Sequence, residues 1–229
     1  MSLSVVQQTA QISLFIQLIT GILSSHGLFI TLNIKDKILT HILQLETFVQ
    51  FIEFVFYTWM TFSFSFSNST VTSLAAVRYI DWFVTTPIML LSTLGFLQYK
   101  QYKKLNKTLT FSDFLKNNDE KIKKMFLFNF LMLLFGLLGE LNILPLHIST
   151  LIGFYFFIET FKILKTSSNE TNIGSNLYSF MFIIWSLYGF AALLPVYSKN
   201  IFYNGLDVFS KNFYGLFIYV FILKIHYKI

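Results

Sequence analysis

Seven charged side chains stand inside segments that are otherwise apolar: Glu46, Glu53, Arg78, Asp81, Glu159, Asp207 and Lys211. A charge facing lipid is costly, so such residues pair with one another, line water or take part in function. Their spacing is that of paired groups. Asp207 and Lys211 are four apart, one turn of a helix on one face. Arg78 and Asp81 are three apart, and Thr85 follows Asp81 by four, continuing the stripe. A lysine amine held between two aspartates suits a protonated Schiff base, because paired carboxylates keep an imine nitrogen charged where the dielectric is low. Arg78 then offsets the second negative charge. The same residues also fit a plainer reading, a buried ion-pair network that only fixes helix packing. Charge spacing alone does not choose between them.

The elements that must position these residues follow from composition. Of 229 residues, 55% are hydrophobic, 19% aromatic and 12% charged, which is the balance of a membrane protein. A spanning helix needs about 20 mostly apolar residues, and seven such segments are present, at about 9–31, 38–62, 72–97, 124–141, 145–164, 173–198 and 201–226. The expected fold is therefore all-α, a single seven-transmembrane-helix bundle over residues 1–229 with one long loop at about 98–123. Phe111, Phe114 and Leu115 share a face within that loop, which fits either a short interfacial helix or a solvated connection. The start of the chain has no basic region ahead of its apolar run and no small-residue cleavage site, so it reads as the first span and not as a signal peptide. With no cysteine there are neither disulfides nor thiolate metal sites.

Charge placement sets orientation. Residues 99–124 carry eight lysines against three acids, and Lys35, Lys37, Lys162, Lys165, Lys224 and Lys228 fall on the same side. The opposite connections carry Glu140 and Lys199. By the positive-inside rule the lysine-rich side is cytoplasmic, the N-terminus outside and the C-terminus inside. The net charge of +6 is thus a topology signal, with no contiguous basic face for nucleic acid. Asn68-Ser69-Thr70 is a glycosylation sequon in an outward connection. His26, His41, His147 and His226 are isolated near span ends and acquire no role.

In "RYIDWFVTTP" (78–87) the third span resembles the helix signature of microbial rhodopsins, and "LDVFSK" (206–211) resembles their retinal-bearing lysine segment. In the sixth span "WSLYG" (185–189) matches their Trp and Tyr pocket residues, and the number, order and orientation of the spans agree. The resemblance implies that Lys211 carries all-trans retinal as a protonated Schiff base. It makes Asp81 the primary counterion and proton acceptor and Asp207 the second counterion. Trp82 and Trp185 would sandwich the polyene, with Tyr188, Thr86 and Thr85 lining the pocket, as flat aromatic walls suit a flat ligand. Gly189 replaces the proline usual after the sixth-helix tyrosine, and Ala192 stands where a second tryptophan is common. Asn129 falls near a position often held by aspartate.

The resemblance also frames transport. An outward proton pump of this family keeps an internal donor carboxylate eleven residues past the acceptor, about 16 Å inward. That position is Ser92. The outward connections lack the family's paired release glutamates. Glu46 and Glu53 are seven apart, so two carboxylates lie on one face of the second span about 10 Å apart, with Gln50 between. A file of acids with polar neighbours concentrates cations. It resembles channelrhodopsins and the viral rhodopsins of large algal viruses. Channelrhodopsins close a central gate with a helix A serine, a helix B glutamate and the asparagine after the retinal lysine, which here are Ser13, Glu53 and Asn212. Gln17, Thr20 and Gly21 extend the first-span stripe. Ser13 and Gln17 equally suit helix packing, and a lesser alternative for Glu53 is a neutral carboxyl that only tunes colour. The channelrhodopsin slow-gating pair is not reproduced, Thr86 and Asn129 standing in its place.

These features lead to the expectation of a light-gated cation channel, not an enzyme, for protons or monovalent cations. It would be a multi-pass homo-oligomer in a lipid bilayer, the host cell membrane if the chain is viral. An outward proton pump and a photosensor acting through a partner are the alternatives. A photosensor would need a transducer or signalling domain, and the chain ends soon after the seventh span.

Overall fold

The computed structural model describes residues 2–62, 67–168 and 171–228, without the side chains of Asn68 and Ser69, so the sequon lies largely outside the described residues. Every regular element among the described residues is helical: α1 (Leu3–Gly27), α2 (Ile38–Phe62), α3 (Asn68–Lys104), α4 (Phe111–Asn117), α5 (Asp119–Glu140), α6 (Leu146–Ser168) and α7 (Asn172–Ala192). Then α8 (Val196–Asp207) continues through a π-helical turn (Val208–Asn212) into α9 (Phe213–Tyr227). Six helical stretches among these residues are long and apolar enough to cross a membrane, the continuous α8–α9 being one of them. The 21-residue α7, polar at its start, packs between α6 and α8 and completes the bundle.

Each helix touches its neighbour in chain order, and α1 closes the ring against α8 and α9. The centre belongs to α3, which touches α2, α5, α6, α7 and α8. Some 67% of its apolar stretch is buried, against 22–28% for α1, α5 and α6. The bundle is apolar outside and polar within: Phe15, Ile80 and Leu151 are 64–71% exposed, whereas Gln17, Glu46, Gln50, Glu53 and Arg78 are at most 1% exposed. That inversion is what lipid as solvent demands.

Span boundaries move where local chemistry overrides hydropathy. The sixth span, expected to reach 198, stops at Ala192, because Pro195 has no N–H to continue a helix and instead caps α8. A capping box between Ser67 and Thr70 starts α3 earlier than expected, and Lys103 and Lys104 in its last turn suit the negative end of the helix dipole. At about 56 Å for 37 residues, α3 overruns the bilayer core. The first helix begins at Leu3 and ends at Gly27, where a side chain would run into Leu43 at 2.6 Å and Tyr219 at 2.7 Å.

The long loop expected at 98–123 is mostly helical. Thr110 caps α4 by accepting from the Asp113 amide, and Phe114 is fully buried in the main core cluster, while Leu115 is exposed and does not share its burial. Phe111 also packs on that core. The segment is thus a short helix pinned to the end of the bundle by Phe111 and Phe114. Phe114→Ala is expected to cost about 3–5 kcal/mol, read as a lowered thermal midpoint of the purified protein.

Candidate functional site

The π turn decides where Lys211 points. The Phe213 amide reaches back five residues to the Val208 carbonyl, an extra residue in the turn that presents Ser210, Lys211 and Asn212 inward. π turns concentrate at functional positions. Lys211 Nζ donates to Asp81 Oδ2 and lies 3.5 Å from Asp207 Oδ1 and 3.9 Å from Glu53 Oε1. All four residues are at most 3% exposed.

The two aspartates differ in their company. Asp207 Oδ2 accepts from Tyr57 at 2.8 Å and Arg78 Nη1 at 3.1 Å, and Oδ1 accepts from Tyr188 at 2.8 Å and Trp82 at 3.4 Å. Four donors and the Lys211 amine thus converge on its two oxygens. For Asp81 the side-chain partner is Lys211, and its Oδ1 has no hydrogen bond among the described residues. Arg78 turns away from Asp81, donating to Tyr57 at 3.0 Å and to Asn204 Oδ1. Asn204 in turn binds Thr9 at 2.8 Å and the Val6 carbonyl at 3.2 Å, tying α8 to α1.

A cavity opens from the Lys211 side chain between α3, α5, α6 and α7, walled by Trp82, Met89, Phe157, Trp185 and Tyr188. Its walls are also shaped by missing side chains. A Cβ on Gly136 would overlap the Tyr79 hydroxyl, and one on Gly189 would sit 2.6 Å from the Phe154 ring. An amine at one end of an apolar, aromatic-walled cavity fits an elongated polyene aldehyde such as retinal, joined through that amine.

A family model described as bacteriorhodopsin-like protein matches residues 8–225. The chain belongs to the bacteriorhodopsin-like family. Members of this rhodopsin family bind retinal, and the chain is a multi-pass membrane protein. Among solved structures it is similar to the viral rhodopsin OLPVRII, at 28% identity over 96% of this chain and 98% of that one, with a TM-score of 0.83. It shares its fold with the blue light-absorbing proteorhodopsin from Med12, at 17% identity over 96% of each chain and a TM-score of 0.72. The same holds for xanthorhodopsin, described as a light-driven ion pump with dual chromophore, at 14% identity over 99% of this chain and 95% of that one, with a TM-score of 0.73. No curated protein matches the chain.

Within this rhodopsin, Lys211, Asp81, Asp207 and Arg78 form one cluster. Trp82, Thr86, Trp185 and Tyr188 line the cavity, as do Gly189 and Ala192, so the departures from the family pattern fall on the wall itself. Thr85 does not line it; its hydroxyl donates to the Asp81 carbonyl at 3.0 Å. Asn129 donates to Thr86 at 2.9 Å, so the two positions of the channelrhodopsin pair do meet, with different chemistry. Glu159 stands apart from the buried charges, pairing with Lys162 at 2.6 Å on the α6 surface.

Towards the lysine-rich end of the bundle, Glu46 accepts through Oε1 from Ser92, whose hydroxyl is 3.3 Å from that of Tyr214. The second oxygen of Glu46 has no hydrogen bond among the described residues, nor do the polar atoms of Gln17, Gln50, Glu53 and Asn212. All five residues are buried. Ser13 leaves this group: its hydroxyl donates to the Asn204 carbonyl at 2.9 Å, on the Arg78 side. Of the three residues expected to form a gate, Ser13 is therefore bonded elsewhere, while the Glu53 and Asn212 side chains lie beside each other, and on α1 Gln17 and Ser24 are the buried groups without a hydrogen bond among the described residues. The first-span stripe is otherwise real, Ser13, Gln17 and Thr20 being buried, though Gly21 lies off it in open space.

Tyr57 and Asn204, which hold Arg78 and Asp207, were not singled out from the sequence. Tyr57 follows Glu53 by four and Asn204 precedes Asp207 by three, so a helical-face count from the two acids would have found both.

Proposed function

We propose that this rhodopsin is a light-driven outward proton pump, with all-trans retinal held by Lys211 as a protonated Schiff base. The observation that carries the reading is the sealed pair of Glu46 and Ser92. The helix 3 position where the family keeps its donor is a serine, yet a carboxyl from α2 occupies the same place in space. When bound, retinal supplies light absorption and a change of shape beside the Lys211 nitrogen.

The chain's own residues account for the proton steps. Asp81 Oδ2 takes the proton from the Lys211 nitrogen, because it is the nearest acceptor and its other oxygen is free of donors. Asp207 stays charged, its lone pairs already engaged by Tyr57, Arg78, Tyr188 and Trp82. Arg78 relays the new charge balance outward through Tyr57 and Asn204. From the inner side Glu46 returns a proton along α2, past Gln50 and Glu53, whose unpaired polar atoms call for water. The outward direction rests on the lysine-rich face being cytoplasmic.

A second reading, a light-gated cation channel, is favoured by that same file of unpaired groups at Gln17, Glu46, Gln50, Glu53 and Asn212. Voltage clamp of retinal-supplied cells separates the two. A pump current keeps its outward sign when the pH and cation gradients are inverted. A photocurrent that reverses with either gradient would sink the pump and carry the channel.

A further inference from the structure

At the lysine-rich end, two cavities outside the site just described share a wall. The first is lined by Lys100, Lys103 and Lys104 at the end of α3 and by Thr171, Asn172 and Ile173 at the start of α7. The second is an apolar groove along α7 and α9, lined by Ile173, Leu177, Phe180, Phe209, Phe213 and Phe217, among others. Ile173 belongs to both. A second join runs through the aromatics, as Lys100 Nζ lies 5.1 Å over the Phe221 ring, whose neighbour Phe217 is in the groove at 6.2 Å between ring centres.

We propose that the two cavities form one site for an anionic phospholipid of the surrounding membrane, the headgroup among the lysines and an acyl chain in the phenylalanine groove. The polar end suits a phosphate. Lys100 has no carboxylate within 4 Å among the described residues, and Lys103, held by Asp36 at 2.5 Å, stands at the rim as a further N–H donor. Thr171 caps α7 by accepting from the Gly174 amide, and the first amides of a helix have no partner within it, so those of Asn172 and Ile173, which have no acceptor among the described residues, suit an anion. The groove suits a chain: Ile173, Phe209 and Phe213 are 40–46% exposed on a face that meets lipid. Basic pockets between membrane helices at the cytoplasmic level take anionic headgroups. Phe209 and Phe213 flank Lys211 in the π turn, so the occupant would lie against the outer face of the turn that carries the amine.

Native mass spectrometry of the retinal-loaded full chain, titrated separately with phosphatidylglycerol, phosphatidylcholine and inorganic phosphate, tests this. One phosphatidylglycerol should be retained at least tenfold better than phosphatidylcholine. Lys100→Gln and Lys104→Gln should each weaken retention about fivefold. Ile173→Trp, which blocks the junction and leaves every charge in place, should weaken it as well, and an unaltered visible band marks each variant as folded. Equal retention of the two lipids, or retention untouched by these substitutions, overturns the proposal. So does inorganic phosphate displacing the lipid as strongly as the lipid binds, which would leave an anion pocket without an acyl groove.

Discussion

Lys211→Ala will yield a protein with no visible absorbance after retinal is supplied, because the amine that opens into the aromatic cavity is gone. The loss should be complete and not a shift. A colourless protein could also arise from misfolding, since the substitution strands Asp81, Asp207 and Glu53 near one another without their shared cation. Breaking a buried ion pair in this way costs about 3–5 kcal/mol. Lys211→Arg resolves the ambiguity. It keeps the positive charge between the carboxylates and cannot form the imine, so it should be colourless at close to native thermal stability. Visible absorbance surviving in either variant would refute the linkage at Lys211, and with it the reading of Asp81 as the group that takes its proton.

The cluster around Lys211 was legible because its signal is one of cost. Charges in an apolar segment must be matched, and the spacings of Asp207 with Lys211 and of Glu46 with Glu53 are short-range facts of one helix. Span count was legible for the same reason. Features that depend on which helix stands opposite were harder to read. Ser13 and Gln17 lie on one stripe of α1, and the stripe says nothing about whether Asn204 or Asn212 faces a given turn. Likewise Ser92 looked like a missing donor so long as only α3 was considered, and the carboxyl of Glu46 became its partner only when α2 was set beside it. The π turn was not legible either, as a fifth residue in a helical turn leaves no mark on hydropathy, yet it sets the direction of Lys211. The short helix after α3 was one of two readings of its apolar face, but which of its residues the bundle buries was not legible: Phe114 turns inward and Leu115 stays exposed.

Glu46→Gln will separate the two transport readings more sharply than any current amplitude. If Glu46 returns the proton, its amide should slow reprotonation of the Lys211 nitrogen on the order of a hundredfold, the usual scale for loss of a positioned acid. Flash photolysis reads this as delayed recovery of visible absorbance. The pH dependence should change as well. While a buried carboxyl supplies the proton, recovery is insensitive to bulk proton concentration; once the proton must come from solution, recovery slows about tenfold for each unit of rising pH. A small permeant weak acid should restore the native rate, since it carries the proton that the substituted amide cannot. Ser92→Ala should slow recovery far less, because Ser92 holds Glu46 and carries no acidic proton of comparable strength. A channel would behave otherwise: Glu46→Gln would alter conductance or selectivity and leave the recovery kinetics and their pH dependence untouched. That outcome would return Glu46 to the role of a cation-lining carboxylate and leave Ser92 with none in proton return.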